Sequence, residues 1–181
     1  MQTRDEQNPI IEGYFAVFDV ETELFPRVFE TIDRDAFDGA LVDDVRALVN
    51  HDTTLVLGRN KSGTLELNTD EIGLFGRIFV NTADTDAMNL YHRVQRGDVT
   101  QCSFGFEIID EDSEYREDGT AHHTIKRVKL YEVSVCTFPA YPDTGVEARK
   151  AQFEEHEKHE LEAWRNEQRG KLKNGVKKAD G

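Results

Sequence analysis

Two long strand-forming runs joined by a tight turn constrain this chain more than any other feature. DVTQCSFGFEIIDEDSEY occupies 98–115, EDGTAHH occupies 117–123, and TIKRVKLYEVSVCTFPAYP fills 124–142. EDGTAHH makes a hairpin turn around Asp118-Gly119. The first run is a single long strand, and the return reads as two strand segments. Within QCSFGFEI, a small hydroxyl at Ser103 stands where a sheet would favour Val or Ile.

The flanking segments supply further strands and helices. IIEGYFAVFDV (10–20) reads as an opening strand, followed by ETELFPRVFETI, where Pro26 marks a break or an edge. Asp33 then suits a helix N-cap ahead of a stripe of Phe37, Ala40, Leu41 and Val45. VRALVNHD (45–52) ends that helix or forms a short strand, delivering His51 at its end. LVLGRNKSGTLELNTDEIGLFGRIFV (55–80) is a strand meander with turns at NKSG and NTDEIG. TADTDAMNLYHRVQRG (82–97) is the clearest helix, with Ala87, Leu90, Tyr91 and Val94 at helical spacing, Asp84 or Thr85 as cap and Gly97 to close it. Together these elements predict an α+β fold. Beyond Pro142 the strand signal ends, and 146–170 reads as a charged helix with a thin apolar stripe, followed by a frayed end.

Charge and length exclude several functions. The 181-residue chain carries a net charge of −14, and residues 151–181 hold seven acids and seven bases, so the whole excess lies on the first 150 residues. That surface repels phosphate, which argues against a nucleic-acid partner. No run approaches the ~18 apolar residues of a membrane span. The opening MQTRDEQNPIIEG lacks the apolar core of a signal peptide. Two cysteines, Cys102 and Cys136, require no disulfide framework.

Several side chains are candidates for chemistry. Ser103 needs a neighbouring base to become a nucleophile; the alternative is a small residue filling a crowded sheet position. His51 is the natural base, since imidazole exchanges its proton near neutral pH, although an isolated histidine in a turn is common. Strict alternation along LYEVSVCTF puts Leu130, Glu132, Ser134, Cys136 and Phe138 on one face and Tyr131, Val133, Val135 and Thr137 on the other. A carboxylate at 132 in so apolar a strand is costly unless paired or exposed. A histidine partner would justify Glu132, and so would an outward-facing polar patch shared with Ser134. His92, His156 and His159 read as surface residues. Metal chemistry is disfavoured: His122 and His123 are adjacent and point to opposite sides of a strand, and neither HExxH nor CxxC occurs. Cys102 as a thiol nucleophile alternates with Ser103 and faces the other way.

Read together, these pieces resemble the prohead proteases of tailed bacteriophages, capsid-maturation serine peptidases distantly related to the herpesvirus assemblins. The resemblance runs from about Gly13 to Val146. It rests on an ordered set: GYFAVFD, RDAFDGAL, VNHDTTLVLGR around the histidine, RGDVTQCSFGF around the serine, and LYEVSVCTFPAYPDTGV near the domain end.

The resemblance implies His51 as general base and Ser103 as nucleophile. Assemblins use a second histidine as third member; the corresponding stretch here offers Glu132 to orient His51, with His122 or His123 as the fallback. PAYPDTG lacks the arginine pair with which assemblins help to build the oxyanion site, leaving backbone N–H groups as donors. The implied fold is a small closed or nearly closed β-barrel flanked by helices, spanning 10–146, with a charged helical and partly disordered tail over 147–181. The implied activity is cleavage of the scaffold, or of a scaffold-like segment of the major capsid protein, and of the chain itself, inside the immature capsid in the host cytoplasm. No cofactor is called for. The partners implied are capsid protein, scaffold and a second copy of the chain, docked through the helix at 82–97 or the tail. The rival expectation is a non-catalytic assembly factor that binds scaffold.

Overall fold

In the computed structural model, the backbone is described for residues 1–4, 8–138 and 143–179, and from 143 onward side chains are described for 150–167 and 169. The chain divides into two units, Met1–Pro142 and Asp143–Gly181.

The first unit is mostly strands. A four-stranded sheet is built from β1 (Gln2–Arg4), β2 (Ile10–Val17), β7 (Leu65–Thr69) and β8 (Gly73–Phe79), in the order β1-β2-β8-β7 with every pair antiparallel. A six-stranded sheet holds β3 (Thr22–Phe25), β4 (Val28–Ile32), β5 (Arg46–Val49), β6 (Asp52–Arg59), β9 (Gln101–Tyr115) and β10 (Ala121–Cys136). The last strand, β10, organises this sheet. Antiparallel β9 runs along one side of it, while the other side takes parallel β4 opposite 121–125 and then parallel β5 opposite 132–135.

Both sheets and the helix α1 (Thr85–Arg96) contribute to one apolar cluster. Ile11, Phe15, Leu74 and Ile78 come from the smaller sheet, Leu90, Tyr91 and Val94 from α1, and Val128, Leu130, Val133 and Val135 from β10. Burying each such side chain stabilises the fold by about 1.5–3 kcal/mol. The helix is bounded as its sequence predicts. The Asp84 carboxylate accepts from the amides of Asp86 and Ala87, and Gly97 closes the end at φ 82°.

Three expectations change. The sheets do not close into a barrel: no ladder joins them among the described residues. Where β2 nears β9, the Cys102 thiol donates to the Tyr14 carbonyl, a side-chain contact and not a strand pairing. The helix expected after Asp33 is instead a set of turns and a short 3₁₀ segment, Ala40–Val42, because Gly39 adopts a left-handed φ of 77° that interrupts any α-helix there. Phe37, Ala40 and Val45 are buried nonetheless. Finally, β10 does not alternate strictly. Leu130 pairs Phe106 and Glu132 pairs Gly105, so Tyr131 is an extra residue, a β-bulge. Leu130 therefore joins the core-facing set of Val133 and Val135 rather than the face of Glu132 and Ser134.

The second unit is a single helix, α2 (Asp143–Ala179). Leu161 and Trp164 are exposed on it, and His156–Glu160 and Glu155–His159 approach at i,i+4 spacing. No helix among the described residues is long and apolar enough to cross a membrane.

Candidate active site

His51 lies in a two-residue turn between β5 and β6. Val49 and Asp52 pair across it, and both loop residues are left-handed, Asn50 at φ 49° and His51 at φ 60°. That is the geometry of a tight hairpin whose twist matches the strands. Placing a non-glycine residue there costs about 1–2 kcal/mol. Three hydrogen bonds to β10 and the residue that follows it offset the cost: the Asn50 amide donates to the Val135 carbonyl (3.1 Å), the Thr137 amide donates to Asn50 Oδ1 (2.9 Å), and the His51 amide donates to Ser134 Oγ (3.1 Å). Each is worth about 1 kcal/mol net.

The turn carries the imidazole onto Glu132. Nδ1 of His51 lies 2.6 Å from Glu132 Oε1, with the His51 side chain 26% and the Glu132 side chain 13% exposed. A carboxylate only accepts, so the bond puts the proton on Nδ1 and leaves the lone pair on Nε2. Nε2 is itself buried and takes no hydrogen bond among the described residues. Ser134, fully buried, donates its hydroxyl to the other carboxylate oxygen, Oε2, at 2.6 Å.

The bulge at Tyr131 turns Glu132 toward this cluster, and β9 completes it by register. Ser103 is the direct partner of Ser134 and Gly105 of Glu132. Directly opposed residues share a face with Cβ atoms about 4.5–5.5 Å apart. Cys102, Phe104 and Phe106 pack against the core, so Ser103 and Gly105 point to the opposite side, with Glu132 and Ser134. Gly105 leaves room for the carboxylate: a Cβ would stand 2.4 Å from Glu132 Oε1 and displace it.

His51, Glu132 and Ser103 thus come from a turn, a bulged strand and its hairpin partner onto one face. His122 and His123 do not join them. They stand nine or ten residues earlier on β10, about 30 Å along the strand. His122 stacks on Phe29 and binds Glu21 Oε2 (2.7 Å), while His123 binds Ser113 Oγ (2.8 Å). Cys102 faces the core, and burial pushes its thiol pKa up, away from thiolate. Burial and the Glu132 charge likewise push Cys136 to about 11. No cluster of three or more His, Cys, Asp or Glu among the described residues is arranged to hold a metal ion. The PAYP stretch at 139–142 lies outside the described residues.

Two contributors escaped sequence reasoning. Asn50, which clamps the turn, carries no glycine beside it to signal a left-handed pair. Ser134 was visible only as a polar neighbour of Glu132.

Comparison with known proteins finds relatives of this chain. The family model for the caudovirus prohead serine protease matches residues 1–159. The chain is similar to the prohead protease of Enterobacteria phage HK97, with 32% identity over 153 residues covering 82% of this chain. It spans 64% of that relative's length. No solved structure matches.

Proposed function

The chain belongs to the caudovirus prohead serine protease family, and on that premise we propose that it is a serine endopeptidase of capsid maturation. Ser103 Oγ attacks the scissile carbonyl carbon while His51 Nε2 takes its proton. The tetrahedral intermediate collapses, His51 returns the proton to the leaving amine, and an acyl-Ser103 ester remains. Water then attacks the ester with the same base, releasing the acid product and restoring Ser103. Glu132 orients the ring through Nδ1 and stabilises the imidazolium formed in both steps.

The observation that supports this reading most is the division of labour on the His51 ring. Nδ1 is held by a carboxylate at 2.6 Å, while Nε2 is buried with its lone pair uncommitted among the described residues. The register that sets Ser103 opposite Ser134 puts a hydroxyl on the same face. The substrates in this reading are scaffold, or a scaffold-like segment of the major capsid protein, and the chain itself. They meet the enzyme as a dimer inside the immature capsid in the host cytoplasm. The strand-built unit ends at Pro142, and in this reading the helical tail over 147–181 is the segment removed by self-cleavage.

The test is co-expression of the Ser103→Ala variant with the major capsid protein. Loss of processing with an unchanged circular-dichroism spectrum is the expected result. Continued processing by that variant would remove Ser103 from the mechanism and leave the assembly-factor role as the better reading.

A further inference from the structure

The contacts around His51 form a closed ring. The His51 amide donates to Ser134 Oγ (3.1 Å), Ser134 Oγ donates to Glu132 Oε2 (2.6 Å), and Glu132 Oε1 accepts from His51 Nδ1 (2.6 Å), which returns to the starting residue. Ser134 is fully buried and spends its one proton on the carboxylate, with a lone pair taken by the amide. We propose that Ser134 is a positioning residue that couples the left-handed turn to the carboxylate and so fixes the direction in which His51 Nε2 points. The assignment rests on the reading of His51 as general base and deepens it.

The physical reasons are specific. A carboxylate held through one oxygen swings about its Cγ–Cδ bond, and an imidazole bound to it swings with it. Here both oxygens are engaged by charge-assisted bonds, which are the stronger kind. The turn is held from the same hydroxyl, so ring and carboxylate are referred to one fixed point on β10. Ser134 and Ser103 are also direct partners across the ladder, so that point lies beside the proposed nucleophile. Ser134 itself touches no reacting atom in this scheme.

The experiment is a double-mutant cycle read by the rate of fluorophosphonate labelling of the full chain. In that reaction the Ser103 Oγ–P bond forms, the P–F bond breaks, and His51 takes the serine proton. Ser134→Ala is expected to slow labelling by roughly ten- to hundredfold, as misplacing a catalytic group does. In a Glu132→Ala background the same change is expected to cost less than about threefold, because a residue acting through Glu132 has nothing left to act upon. Equal losses in both backgrounds would overturn the proposal. The second readout is the downfield proton resonance of His51 Nδ1–H, expected to broaden or move upfield in Ser134→Ala. An unchanged resonance would also overturn it. Ser134→Cys keeps the side-chain size with a weaker donor and serves if the alanine variant fails to fold; it is expected to shift both readouts in the same direction by less. The proton measurement needs no turnover, so it judges Ser134 even if Ser103→Ala shows that another group is the nucleophile.

Discussion

At its beginning, β10 runs between Glu30 of β4 and Ser113 of β9, with His123 in register with both. At its end it runs between β5 and Ser103 of β9, with Glu132 on the strand and His51 on the turn beyond β5. Each end of one strand therefore gathers an acid, a histidine and a serine. The composition is the same and the wiring is not. At the first end the histidine belongs to the ladder, 2% exposed, and its Nδ1 is bound to the serine at 2.8 Å. At the second end the carboxylate belongs to the ladder and the histidine sits on a turn freed from the two-residue alternation. Its Nδ1 is bound to the acid, and its Nε2 is buried with no hydrogen bond among the described residues, the nitrogen that the proposed mechanism uses as base. Residue type alone does not make a proton relay; which nitrogen faces which partner does.

The comparison can be broken by exchanging the fates of the two histidines. His51→Ala is expected to lower fluorophosphonate labelling by about a thousandfold or more, as loss of a triad base does, while His123→Ala leaves it within about threefold. The reverse outcome would move the chemistry to the far end of the hairpin. Glu132→Gln sharpens the wiring claim. An amide offers no charge to stabilise imidazolium and favours the wrong tautomer, so labelling is expected to fall by about 10²–10⁴ at neutral pH. A loss below fivefold would mean that Glu132 merely packs against the ring. Gly105→Ala is a gentler probe. Its methyl would sit 2.4 Å from Glu132 Oε1, so the carboxylate must shift, and labelling is expected to drop about tenfold while the melting temperature changes by only a few degrees. Unaltered labelling would show that the carboxylate can move without consequence. Smallest of all, Ser113→Ala is expected to cost about 1 kcal/mol in denaturant titration through its lost bond to His123, with no change in labelling.

Much of this was legible in the sequence because the decisive signals are local. Asp84, the spacing of Ala87, Leu90, Tyr91 and Val94, and Gly97 specify α1 without reference to anything distant. The Asp118-Gly119 turn declares the long hairpin in the same way, and Gly119 does take a positive φ of 79°. Glu132 stood out because a carboxylate in an apolar strand demands a partner. What could not be read depends on register. Tyr131 looks like an ordinary strand residue, and only its pairing reveals that it is surplus. Strict alternation consequently assigned Leu130 to the face of Glu132. The Asp33–Val45 stretch has helical spacing of apolar residues, but Gly39 in a left-handed conformation overrides it. The pairing that a barrel would need between β2 and β9 is likewise a matter of tertiary contact, invisible in either segment alone.

The surplus residue at Tyr131 puts the two halves of β10 out of step with each other. Val128 and Leu130 face the core on even numbers, Val133 and Val135 on odd ones. Removing Tyr131 would merge the two beats into one plain alternation, with Glu132 still opposite Gly105 and Val133 still opposite Phe104; what would be lost is the local bend and added twist that a bulge supplies beside the site. One deletion would thus separate the aim of the carboxylate from the hydrophobic packing, although neither depends on the tyrosine ring itself.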